Sequence, residues 1–330
     1  MHRRPINFLF PLLVVALLAV GVPADAQFRG EITVTHWGVL LYGVPYAIAQ
    51  ELGFFEEHGI ALEGIVTSEG GGTTVRNVLA GRLPFGEVST FAALTAHKAG
   101  APLVIVGGGS RSVAEILWVT RQGEPIRSIQ DLKGKTVAFT TPGSVTHAVL
   151  TLAIQQAEGI ELSDVHMVAV GGLGSGLTAL AQGGVDAAPI MDPVWASQSD
   201  RWQPVFWAKD YVPHYMQTVF IVPPQLLKQR PDVVRGFIDA RRRAVEYLYA
   251  HPDEAAEIFA RAYDLPLDVA RRSIENVINE RWWSTGGLDR DGLEAVERVM
   301  LALEMIDSPI HWQSIVDQSL LPAEERIELP

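Results

Sequence analysis

One local pattern recurs along this chain and limits what it can become: a short apolar strand, a glycine- or hydroxyl-rich turn, then an amphipathic helix. Its clearest copy is Asp131 to His147, DLKGKTVAFTTPGSVTH. Val137, Ala138 and Phe139 read as a buried strand. Thr140 to Ser144 is a tight Pro/Gly turn. From Thr146 the apolar residues Val149, Leu150, Leu152, Ala153 and Ile154 follow helical spacing. Gly143 permits close backbone approach, and Ser144 is placed to cap the helix. The first turn of such a helix offers free N–H groups and the positive end of its dipole, which suits an anion or polar acceptor. Taken alone, this is also how any capped helix begins. Repetition favours the functional reading, because the device recurs at Ser68 to Thr74, at Ser89-Thr90 and at Gly171 to Gly176.

Strands that alternate with helices imply βαβ units and mainly parallel sheets. Expected strands are Glu31–His36, Ile60–Val66, Phe85–Val88 and Leu103–Val106, with helices Tyr46–Glu57, Thr74–Ala80 and Phe91–Ala99 between them. Past Gly107-Gly108-Gly109 the chain is expected to cross into a second lobe. Ile116–Thr120 and Thr218–Val222 are the hinge-strand candidates, Val165–Val170 and Val185–Ile190 are strands, and Leu177–Gln182 is a helix. The segment Leu79 to Leu83 before one strand echoes Leu180 to Val185 before another, which favours two similar lobes over one large sheet. Beyond Pro231 the chain reads as helical, and Trp312–Leu321 is expected to return to the first lobe. The run Arg241-Arg242-Arg243 reads as a solvated helix face. Glu87, Glu115 and Trp282-Trp283 read as structural.

The ends and the composition bound the function. Residues 1–26 have the form of a cleavable secretory leader: Arg3 and Arg4, the apolar run Phe8–Val22, then Ala24-Asp25-Ala26. That run is short beside the roughly 20 residues of a membrane span. Cleavage before Gln27 would leave 24 basic and 37 acidic residues, a net charge of about −13. Such a charge disfavours nucleic acid as a partner. The absence of cysteine excludes disulfides, thiolate metal sites and a cysteine-borne lipid anchor. A freely diffusing periplasmic protein, expected to be monomeric, fits these features.

Ligands of open parallel sheets sit beyond the carboxyl ends of the strands. Here those ends carry His36, Trp37 and Tyr42; Gly71, Gly72, Thr73 and Thr74; Ser89 and Thr90; Pro142, Gly143, Ser144, Thr146 and His147; Gly174 and Ser175; and Asp192. These loops are rich in Gly, Ser and Thr and hold no arginine, so a neutral polar solute or a weak anion is expected. Glu69 and Asp192 could equally be helix caps. No P-loop, dinucleotide fingerprint, G-x-S-x-G elbow or H-E-x-x-H pair is present. No cofactor, metal or catalytic residue is therefore expected.

Leu52–Ile60 (LGFFEEHGI), Ile126–Val137 (IRSIQDLKGKTV), Leu180–Asp186 with Asp192-Pro193, and Pro231–Pro252 carry a resemblance. Over about residues 31–320 the chain resembles the solute-binding proteins of ABC importers, in the branch serving sulfonates, nitrate, taurine and thiamine-pyrimidine precursors. The resemblance implies a two-lobed α/β fold of the type II periplasmic-binding-protein kind. Residues 27–112 with 210–330 would form one lobe and 113–209 the other. It further implies a small-molecule solute held between the lobes, an inner-membrane ABC permease as partner, and hinge closure without bond chemistry. The cysteine-rich iron motif of the thiamine-precursor synthases is missing. An exported enzyme on the same fold, or a component that presents ligand to a membrane sensor, are the alternatives.

Overall fold

The computed structural model describes residues 28–81 and 84–330. The expected leader, and Arg82 and Leu83 of the internal echo, lie outside the described residues.

The chain opens with β1 (Phe28–Thr35), α1 (Val44–Glu51), α2 (Phe54–Glu57), β2 (Ile60–Ser68), α3 (Gly71–Leu79), β3 (Gly86–Ser89), α4 (Thr90–Lys98) and β4 (Val104–Gly108). It then crosses to β5 (Ile116–Arg121), β6 (Thr136–Phe139), α5 (Val145–Gln156), β7 (His166–Ala169), α6 (Leu173–Ala181), β8 (Ala188–Met191), α7 (Val194–Gln198) and β9 (Trp202–Trp207). It returns through β10 (Thr218–Val222) to the helices α8 (Pro224–Gln229), α9 (Pro231–Ala250), α10 (Pro252–Tyr263), α11 (Leu267–Ile278) and α12 (Arg290–Ala302).

The first sheet has the order β2-β1-β3-β10-β4. Strands β1, β2 and β3 run parallel, and β10 is antiparallel to both its neighbours. In the second sheet β8-β5-β9 and β6-β7 are joined where Val137 bridges Ala187 and the Ala138 amide donates to Ala187 O at 2.8 Å. The resulting order, β7-β6-β8-β5-β9, repeats that of the first sheet. Its antiparallel member is β5, again the strand delivered by a crossover. Both hinge-strand candidates thus occupy equivalent places. All five residues of β10 are buried, as a strand covered on both faces requires. The crossovers run side by side: Gly109 N donates to Thr218 O, and Gln217 N to Ser110 O, each at 2.9 Å.

Several elements differ from their expected form. The helix expected over Tyr46–Glu57 is broken at Gly53, whose φ of +73° suits glycine and ends α1. Helix α6 begins at Leu173, earlier than expected, and takes in Gly174 and Gly176; at Gly176 a Cβ would meet the Val170 side chain at 3.1 Å, so glycine there serves packing and does not stop the helix. Strand β9 carries Pro204 and sits at a sheet edge, so its sequence reads weakly as a strand. Arg241 corrects the reading of the arginine run. It is fully buried and donates to Glu87 Oε2 at 3.1 Å, Ser284 O at 2.7 Å and Gly109 O at 2.9 Å. Trp282 and Trp283 are core residues as expected. The C-terminal segment does return to the first sheet, where Ile105 N donates to Ile315 O at 2.8 Å.

Candidate functional site

A cleft of about 670 Å³ opens between the carboxyl ends of the two sheets. Four helices of eight residues or more, α3 and α4 from the first sheet and α5 and α6 from the second, begin at its wall. Their starts are not equivalent. Ser89 caps α4 by accepting from Ala92 N, and Ser144 caps α5 by accepting from His147 N, both at 3.2 Å. Thr140, Ser144 and Thr146 further satisfy one another's hydroxyls at 2.8–3.0 Å. Helices α3 and α6 begin instead at Gly70 and Gly172, with no side-chain cap. In α3 the Thr73 amide turns back onto Gly70 O at 3.0 Å, so the amides of Gly71 and Gly72, with those of Leu173 and Gly174 in α6, are the ones placed for a ligand. Of the two starts expected to face each other, that at Gly72-Thr73 is uncapped, whereas that at Gly143-Ser144 is capped by its own serine.

Of the expected site residues, His36, Tyr42, Gly71, Gly72, Thr73, Ser89, Pro142, Gly143, Ser144, Thr146 and Gly174 line the cleft. Gly71 is there for packing, since a Cβ would meet that of Ala92 at 2.4 Å. Gly143, at φ +75°, lies where a Cβ would meet the Phe91 ring at 3.2 Å, so it spaces the two lobes. Gly72 and Gly172 have room on the cleft side.

Six expected residues are placed elsewhere. Trp37 packs edge-on against Tyr263 and covers Gly43. Thr74 is buried and bonds to Thr35 and Ser68. Thr90 donates to Met216 O, tying α4 to the returning crossover. His147 stacks on Phe139 at 4.3 Å and accepts from Gly143 N. Ser175 is exposed on α6, off the cleft wall. Asp192 is fully buried, accepts from Ala196 N and Asn276 Nδ2, and leaves its neighbour Met191 to line the cleft. Met191 ends β8, and Asp192 begins the turn into α7, where its bonds to Ala196 N and Asn276 Nδ2 hold it away from the cleft.

The loops hold no arginine, yet one enters the cleft. Arg76 is on α3, and its guanidinium bonds Thr73 Oγ1 at 2.8 Å. Three residues separate them, so they share a helix face; that spacing from Thr73 is the clue in the sequence. Glu69, His36 and Tyr42 join Arg76 in the charged and titratable lining, again from the first lobe. Burial lowers the His36 pKa, opposed by the Glu69 charge, which favours the neutral imidazole. The second lobe contributes backbone, hydroxyl and apolar groups, Leu173 and Met191 among them.

A family model described as NMT1/THI5 like matches residues 42–255. A Brucella abortus protein named only as a binding protein is 25% identical over 280 residues, 79% of each chain. An Escherichia coli protein named for binding aliphatic sulfonates is 34% identical over 118 residues, 36% of each. Among solved structures, the periplasmic aliphatic sulphonate binding protein SsuA of Escherichia coli superposes with a TM-score of 0.73 at 17% identity, covering 92% of this chain and 96% of that one. The desulfurization enzyme DszB has a TM-score of 0.65 at 17% identity, covering 89% and 98%. These likenesses establish the periplasmic-binding-protein fold.

Proposed function

The chain belongs to the NMT1/THI5-like family, and on that premise we propose that it is the solute receptor of an ABC importer. It captures a small organic anion between its lobes and hands it to an inner-membrane permease from the periplasm, acting as a monomer. The lobes divide at residues 27–112 with 210–330 against 113–209. One observation carries the reading: the uncapped starts of α3 and α6 open into the same cleft from opposite sheets, beside Arg76. Helix starts plus a guanidinium supply the donors that an oxyanion needs, at the end of the ligand that both lobes must grip. The apolar lining from Val39, Leu173 and Met191 suits an organic body attached to that anion. Sulfonates, named for several relatives, are the first class to test.

Closure follows from the two side-by-side crossovers, with bound solute favouring the closed form. The enzyme alternative takes its support from the likeness to DszB. A thiolate mechanism is unavailable to a chain without cysteine.

A thermal-melt panel of sulfonates, nitrate, carboxylates, aromatic acids and pyrimidines tests the proposal. A true solute at a hundredfold excess over its Kd adds about 2.7 kcal/mol, a rise in Tm of roughly 5–10 °C for a chain of this size. The hit should be recovered intact after incubation with stoichiometric protein. Sustained conversion to a product would replace the receptor by an enzyme, and a panel of anions without any shift would remove the anion reading.

A further inference from the structure

Among the described residues the cleft lining carries one guanidinium, Arg76, one carboxylate, Glu69, and no other charged side chain. Both belong to the first lobe and flank the start of α3, yet they form no ion pair with each other. Arg76 turns back along its own helix. Its Nη2 donates to Thr73 Oγ1 at 2.8 Å, and its Nη1 lies 3.5 Å from the place a Cβ would take on Gly72. The guanidinium is therefore beside the free amides of Gly71 and Gly72, and together they face an acidic group.

Glu69 stands just before Gly70, the residue that opens α3. Its carboxylate lines the cleft and has neither a hydrogen-bond donor nor a cation among the described residues. Other exposed carboxylates of this lobe do find a cation: Glu51 meets Arg261, Glu57 meets Arg243 and Glu63 meets Arg29. His36 feels the Glu69 charge, but its burial favours the neutral imidazole, so it does not cancel that charge. The opposite wall brings backbone, hydroxyl and apolar groups and no cation.

Closure of the lobes would therefore take an unmatched carboxylate out of water, which is costly. A plain anion seated at the same helix start would add repulsion to that cost. A solute that carries its own cation removes both penalties, and its two charges match the single Arg76 and the single Glu69. We propose that Glu69 is a specificity-determining residue and that the solute is a zwitterion. Its acidic group is held by Arg76 and the starts of α3 and α6, and its ammonium by Glu69. This inference rests on the receptor reading and narrows the solute from organic anions to those that bear an amine. The amine keeps its N–H groups, which a carboxylate accepts directly. No tryptophan or phenylalanine lines the cleft among the described residues, so the aromatic cage that suits a quaternary ammonium is missing. Val39, Leu173 and Met191 are left for the carbon skeleton between the two charges.

Calorimetry near neutral pH with matched pairs of solutes tests this. The pairs are aminoethylsulfonate with ethylsulfonate, β-alanine with propionate, and aminomethyl-benzenesulfonate with toluenesulfonate. In the pair that fits the cleft, the amine-bearing member should bind about tenfold or more tightly than its plain partner. Its trimethylammonium analogue should lose that gain. Glu69 is exposed, so Glu69→Gln should fold normally. It should weaken the amine-bearing member about tenfold and strengthen the plain anion, an opposite pair of shifts that a merely structural role would not produce. Arg76→Gln should weaken both members. Equal affinities within every pair, or an amine preference that survives in Glu69→Gln, would overturn the zwitterion and leave the anion receptor standing. Failure of every member to bind would overturn the receptor reading and the zwitterion with it.

Discussion

In the first sheet a buried carboxylate, Glu87 on β3, meets a buried guanidinium, Arg241 on α9; beside the inner strands β5 and β8 of the second, Glu115 and Asp192 meet neutral amides and an indole. The cleft shows the same imbalance, with Glu69, Arg76 and His36 all on the first lobe and a second wall of backbone and hydroxyl groups. Yet the two sheets share one strand order. Strand order directs loops and helix starts to a common cleft, because crossovers of parallel strands are constrained by handedness and length. It places no requirement on charge. Duplicate topology therefore leaves each lobe free to hold one side of the work: the first supplies fixed charge, the second a conforming surface.

The sharpest way to break that contrast is to unmatch the first lobe's ion pair. Arg241→Ala leaves the Glu87 carboxylate buried without its partner, and should cost about 3–5 kcal/mol by chemical denaturation. A loss below about 1 kcal/mol would mean that water or a proton replaces the guanidinium readily. Next comes the conforming wall. Gly172 has an extended backbone and open space at its Cβ, so Gly172→Leu should fold normally and fill the cleft at the start of α6. A tenfold or greater loss of solute affinity by calorimetry is expected, about 1.4 kcal/mol or more. Wild-type affinity would remove α6 from the site.

The pH response separates the two kinds of buried carboxyl. Burial raises Glu115 to about 8 and Asp192 to about 7, from reference values of 4.5 and 3.8. The folded state then binds more protons than the unfolded one across that window. Their stabilising contribution is complete below the unfolded values and is lost as pH rises through the folded ones. Stability should fall between about pH 5 and about pH 8 by the equivalent of at least one pKa unit, about 1.4 kcal/mol. Glu115→Gln should flatten that slope, and an unchanged slope would assign it to other groups. The smallest contrast is between the two serine caps. Ser89→Ala and Ser144→Ala should each cost about 1 kcal/mol. Ser144 also holds Thr140 and Thr146, so the second-lobe variant should lose more.

Much of this molecule could be read from residue order alone. Period-two and helical spacing, with glycine and proline stops, located the strands of both sheets except β9 and identified the two crossover strands, since those signals act within a few residues. Glycine- and hydroxyl-rich strand ends marked most of the cleft wall for the same reason. Tertiary structure decided which helix starts remain uncapped, because a cap depends on how the preceding turn is held. It also turned Arg241 from a surface charge into a buried partner of Glu87, at a separation of 154 residues. The turn after β8 sent Asp192 away from the cleft and onto Asn276, 84 residues further along the chain. Capping and spacing are short-range effects that sequence carries. Burial and the company a charge keeps are long-range, and only the folded chain assigns them.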